Sequence, residues 1–153
     1  MGHTVNSILI KAPYDLVFDI SNHIERWTEL FGDEYVKAEV LERKGNQITF
    51  RLTDNENKSW VSYRLLFKEH KFAFASRKDP MFPFKYMKII WFYHETDEGT
   101  LMTWVQDFEM DLKAAFNDEK VEGFINKHSQ HNMKIFKEVI EKEAVLAAVE
   151  RNR

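Results

Sequence analysis

Apolar residues in this chain recur at two spacings, and the order of the two is what most limits the fold. From about residue 35 to residue 110 they alternate with polar residues, the period of strands; from about Asp118 to Ala148 they return every third or fourth position, the period of a helix. The alternating part divides at turn signals. Val36, Ala38 and Val40 alternate with Lys37, Glu39 and Leu41, and Ile48, Phe50 and Leu52 with Gln47, Thr49 and Arg51, across a Gly45-Asn46 hairpin turn. Further strands are predicted over Ser59–Phe67, Lys71–Arg77, Tyr86–His94 and Thr100–Met110, and one more over Thr4–Ala12. Pro13 then opens a short helix with Leu16, Val17 and Ile20 on one face. Asn22 reads as the cap of a second, with Ile24, Trp27, Leu30 and Phe31 inside and Gly32 at its end. The final helix carries Val121, Phe124, Ile125, His128, Asn132, Ile135, Val139 and Ile140 on one stripe.

Short connections between successive strands imply an antiparallel meander. The expected class is α+β: a curved antiparallel sheet of about seven strands wrapped around the long C-terminal helix, with two short helices after the first strand. Such a pairing leaves an internal cavity unless the facing side chains are large enough to fill it. At 153 residues, with no repeat, low-complexity tract or linker, the chain reads as a single domain over 1–153.

Composition removes several function classes. A net charge of −3 argues against a surface built to hold nucleic acid. The absence of cysteine excludes disulfides, thiolate metal sites, iron–sulfur clusters and cysteine nucleophiles, and suits the cytoplasm. No apolar run approaches the ~20 residues needed to cross a bilayer, and the opening "MGHTVNSILIKAP" does not look like a signal peptide. No phosphate-binding glycine loop, nucleophile elbow or His-Glu-x-x-His pattern is present. The unusual quantity is aromatic content: 13 Phe, 4 Trp and 5 Tyr, or 14%, more than a small core ordinarily needs and in keeping with a ring-lined pocket.

Candidate site residues follow from alternation. In "KSWVSYRLLF", Trp60, Ser62 and Arg64 share a face opposite Val61, Tyr63 and Leu65, and the pattern alone does not say which is interior. An inward Arg64 needs a partner or an oxygen-bearing ligand; an outward one needs only a nearby carboxylate, the plainer reading of the pattern. In "LMTWVQDFEM", Met102, Trp104, Gln106, Phe108 and Met110 form one face with a single amide in it, and Met87, Ile89, Trp91 and Tyr93 form a matching row. Two tryptophans are thus expected almost side by side, as core packing or as a slot for a planar ligand. His128 and His131, three apart on the last helix, lack a completing carboxylate, so no metal is expected there and His128 is read as a polar residue near the pocket. In "SRKDPMFPFKYMK", Arg77, Lys78, Lys85 and Lys88 surround Met81, Phe82 and Phe84, either as a cationic entrance that meets an acidic partner or as an ordinary solvated hairpin.

The stretches "NSILIKAPYDLVFDISNHIERWTELF", "WVSYR", "PFKYMKIIW" and "TWVQDFEM" resemble the single-domain aromatase/cyclases of bacterial type II polyketide synthases, of the tetracenomycin type. These belong to the helix-grip superfamily of START domains and the birch-pollen allergen. The resemblance runs from about Asn6 to Glu141. It implies a cofactor-independent enzyme that binds a poly-β-ketone tethered to an acyl carrier protein, then directs aldol closure and dehydration of the first ring. Other polyketide synthase subunits are implied partners, and nucleic acid and membrane are not; the chain is expected as a monomer or weak homodimer. Carried onto this sequence, the family pocket falls on Trp27, Tyr35, Trp60, Ser62, Arg64, Arg77, Met87, Trp91 and Trp104, with Phe31, Gln106, His128 and Asn132 beside it. In that reading Arg64 binds a ketone or enolate oxygen, Tyr35 is a candidate acid and Ser62 positions a carbonyl or a water. Arg77 and Gln106 orient the chain, and Lys78, Lys85 and Lys88 form a carrier-docking lip. A non-catalytic carrier of a hydrophobic ligand on the same fold is the competing expectation.

Overall fold

The structure is a computed structural model that describes residues 1–152. Seven strands, β1 (Gly2–Ile10), β2 (Tyr35–Lys44), β3 (Gln47–Asp54), β4 (Ser59–Phe67), β5 (Phe72–Asp79), β6 (Phe84–Thr96) and β7 (Gly99–Met110), pair antiparallel in the order β1-β7-β6-β5-β4-β3-β2. The meander is as the short connections predict, and β1 closes against β7, pairing Val5 with Val105 and Asn6 with Trp104. Helix α1 (Tyr14–Ser21) and the one-turn α2 (Trp27–Leu30), preceded by a 3-10 turn at Ile24–Arg26, follow β1; the last element is α3 (Asp118–Arg151). Gly32 ends the short helix with φ +61, a conformation that favours glycine.

Helix α3 is fixed to the sheet by apolar and polar contacts together. Its Asn117 cap accepts from the Lys120 N–H at 2.9 Å. Lys137 donates to the Leu9 carbonyl at 2.8 Å, and Glu141 accepts from the Lys11 N–H at 2.8 Å. Arg26 Nη1 donates to both carboxylate oxygens of Glu143, each at 2.9 Å. The buried stripe is Val121, Ser129, Asn132, Met133, Phe136 and Ile140. It differs from the expected one: Phe124 is 41% exposed and Phe136 is fully buried. Phe124 instead meets Phe116 edge-on, outside the sheet–helix interface. No helix among the described residues is long and apolar enough to cross a membrane.

Three of the four irregularities in strand pairing lie next to the cavity lining. Register slips at Val36 on β2, at Lys78 on β5 and at Lys85 on β6. Each slip inserts one residue, so the strict period of two breaks at that point. Tyr35 and Ala38 therefore both pack toward the core while Val36 is 61% exposed, contrary to the alternation that grouped Val36 with Ala38. Phe84 and Met87, three apart, both face the interior by the same device.

Candidate active site

Between the concave face of the sheet and α3 lies a cavity of about 290 Å³. Ala73 and Ala75 are the inward residues of β5, and neither places bulk between β4 and β6. Arg64 of β4 fills that gap and reaches Trp91 of β6, its guanidinium carbon 4.0 Å from the indole centroid and 5.3 Å from that of Trp27. Trp91 stacks on Trp104, its register partner, at 4.4 Å and 10°. Phe136 of α3 stands edge-on to Trp91, Trp104 and Phe31, closing the base of this aromatic wall.

Arg64 settles the question that alternation left open. The Trp60, Ser62 and Arg64 face is the inner one, and Arg64 is 1% exposed. No carboxylate pairs with it among the described residues. Its Nε donates to Asn22 Oδ1 at 2.7 Å, and Nη2 is buried with no hydrogen-bond partner. Asn22 is itself held, Nδ2 donating to the Phe18 carbonyl at 2.9 Å and to the Tyr93 hydroxyl at 3.1 Å, while Tyr93 and Ser21 share a hydrogen bond at 2.7 Å. Burial pulls the Arg64 pKa down to about 10, against a smaller opposing influence of Tyr93. The guanidinium thus stays charged at neutral pH. Asn22 does not cap the second helix as its sequence position suggests: it ends α1 and anchors Arg64.

The other residues singled out by the sequence come together around this cation. Tyr35 and Trp60 form an edge-to-face pair at 6.0 Å, and Phe31 packs against Tyr35 at 5.1 Å. Burial raises the Tyr35 pKa well above the usual phenol value, Glu34 adding to the rise and Arg77 opposing it. Such a phenol keeps its proton, which makes it a neutral hydrogen-bond donor more than a ready acid. Ser62 is buried and lines the cavity with its neighbour Trp60. Gln106 donates to Ser129 Oγ on α3 at 3.2 Å, and Asn132 donates to the Glu34 carboxylate at 2.7 Å. Met87 and His128 complete the wall.

Arg77 is placed differently from a free chain-orienting group. Its Nε donates to the Pro80 carbonyl at 2.7 Å and its Nη2 to the Phe82 carbonyl at 3.0 Å, while the guanidinium lies 4.7 Å from the Trp60 centroid. It braces the β5–β6 loop at the cavity edge. Among the three lysines, Lys88 follows Met87 on the opposite face of β6 and is exposed on the outer side of the sheet. Lys78 and Lys85 are the residues extruded at two of the register slips, and Lys85 lies 3.5 Å from Glu109. His131 is exposed, and no group of three or more potential metal ligands occurs among the described residues.

Three contributors escaped the sequence reading. Asn22 was obscured by its resemblance to a helix cap. Glu34 precedes the first residue of β2, where no strand period applies. Ser129 lies one position from His128, within the error of a helical-stripe assignment.

The chain matches the model of a family described as "Polyketide cyclase / dehydrase and lipid transport" over residues 1–141. It belongs to that family. A Streptomyces cyaneus relative is 46% identical over 145 residues, 92% of this chain and 94% of its own, and a Streptomyces halstedii relative is 46% identical over 109 residues, 68% and 98%. Both bear the name "Putative polyketide cyclase". Among solved structures, the Zhui aromatase/cyclase of Streptomyces sp. R1128 superposes with a TM-score of 0.75 at 18% identity, covering 93% of this chain and 92% of that one. A START superfamily protein from Mycobacterium smegmatis gives 0.73 at 15%, covering 93% and 99%. These two establish a shared helix-grip fold, on which this polyketide cyclase family member carries its cation-bearing cavity.

Proposed function

We propose that this family member is an aromatase/cyclase that receives a poly-β-ketone from an acyl carrier protein and directs closure and dehydration of its first ring. The observation that carries the reading is the buried, carboxylate-free Arg64 laid against the Trp91–Trp104 stack in a cavity. A pure carrier of apolar ligands gains nothing from a desolvated cation, which costs stability unless a ligand oxygen uses it.

The chemistry suits these side chains. A methylene between two ketones is acidic without strong help, so the pocket's task is to choose which carbon meets which carbonyl. The indole walls keep the chain flat and folded. Arg64 meets the oxygen on which negative charge develops. Glu34, the carboxylate lining the cavity, is held by Asn132 through one oxygen, and the other can accept a methylene proton. Tyr35 and Ser62, both on the cavity lining, donate hydrogen bonds to carbonyl or alkoxide oxygens.

Reconstitution with a minimal polyketide synthase tests the reading. Addition of the protein is expected to replace the spontaneous shunt mixture with one first-ring pattern, read by mass spectrometry and NMR. An unchanged mixture from protein that still binds the polyketide would make it a carrier instead. Docking is tested separately: Lys78→Glu with Lys85→Glu is expected to lower turnover of carrier-bound substrate several-fold and spare a free analogue. Equal losses on both substrates would remove the lysine lip.

A further inference from the structure

Arg64 is buried, yet the group that ties it down is an amide. A carboxylate at position 22 would occupy nearly the same space and accept the same hydrogen bond from Nε. It would also neutralise the guanidinium. Asn22 Oδ1 supplies the acceptor at 2.7 Å without the charge, and Tyr93 and the Phe18 carbonyl fix the amide's orientation through Nδ2. The other groups around the cation are the indole faces of Trp27 on α2 and Trp91 on β6 and the neutral Tyr93 hydroxyl. The ionisable groups lining the cavity are Glu34, Tyr35, Arg77 and His128 besides Arg64 itself. Glu34 is occupied by Asn132, and Arg77 by two loop carbonyls. Tyr93, behind the cavity wall, is the group whose field acts on Arg64.

We propose that Asn22 is a positioning residue which, by holding Arg64 through a neutral acceptor, reserves the cation's charge for an anionic oxygen, so that the cavity takes a phenol or enol in its ionised form. The inference rests on the cyclase reading only for the identity of the natural ligand. Its test is a binding experiment with simple phenols, so it stands or falls independently of product formation.

The probe is 4-nitrophenol, which ionises near neutrality and whose anion absorbs in the visible; its methyl ether, 4-nitroanisole, cannot ionise. In the wild-type protein the bound phenol is expected to titrate about one pH unit below the free one, a tenfold preference for the anion. The phenolate band reads the probe's own proton, whichever protein groups titrate nearby. In Asn22→Asp the shift is expected to vanish while affinity for 4-nitroanisole stays within about twofold, and Arg64→Met is expected to lose the shift as well. Should Asn22→Asp not fold, Asn22→Ala releases the guanidinium from its tether and is expected to lose more than half of the shift. A full shift in the Asn22 variant or in Arg64→Met overturns the proposal. So does an equal loss of affinity for both probes in the Asn22 variant, which would make Asn22 merely structural.

Discussion

A guanidinium at 1% exposure with only an amide, a phenol and two indoles around it is a costly residue. That cost is measurable. Arg64→Met keeps most of the volume and removes the charge, and is expected to stabilise the ligand-free protein by about 1–3 kcal/mol in urea denaturation. Loss of stability by that amount would mean that Arg64 contributes to the fold more than to a site. The pH sense follows from a folded-state pKa of about 10, below that of a free guanidinium. Only above about 10 does the unfolded chain hold more protons than the folded one, so wild-type stability gains from this group there, and its effect is flat through neutral pH. The Arg64→Met difference is accordingly expected to be constant across the neutral range. Tyr35 behaves as a complementary residue: kept protonated by burial, it can donate a hydrogen bond across that same range.

Elements place these residues, and the places where they depart from regularity matter most. Strict alternation correctly puts Met102, Trp104, Phe108 and Met110 inside on β7, because that strand pairs with β1 without a slip. It fails at β2, where the extra residue at Val36 turns Tyr35 inward, since a bulge leaves no signature in hydrophobic period. Arg64 was undecidable for a different reason: both faces of β4 carry a mixture of apolar and polar side chains, and tertiary packing against Trp27 and Trp91 makes the choice. On α3 the stripe is rotated by about one position from the sequence reading, a difference that Phe136 and Phe124 expose. Phe136→Ala should cost about 3–5 kcal/mol, because the ring packs against Trp91, Trp104 and Phe31. Phe124→Ala, at an exposed position, should stay within about 0.5 kcal/mol. Reversal of that order in denaturant midpoints would mean that α3 packs on its other face.

At the scale of the whole molecule, the curved sheet and α3 enclose a space that aromatic rings wall on several sides. The architecture was legible from the order of the two periods alone; what occupies the hollow was not, because the Asn22–Arg64 contact joins residues 42 positions apart. The family likeness brings the pocket residues together before any geometry does, and both arginines lie on the cavity lining, Arg64 held by an amide and Arg77 by two loop carbonyls. A bent sheet gripping a helix serves binding and catalysis alike, so the difference must lie in the charged group inside it. The most direct measurement is the product profile of a minimal polyketide synthase supplied with Arg64→Met in place of the wild-type protein. A folded, ligand-free variant that yields shunt products in place of the directed first ring is the expected result; the same ring pattern at the wild-type rate would contradict the central role given to that buried cation.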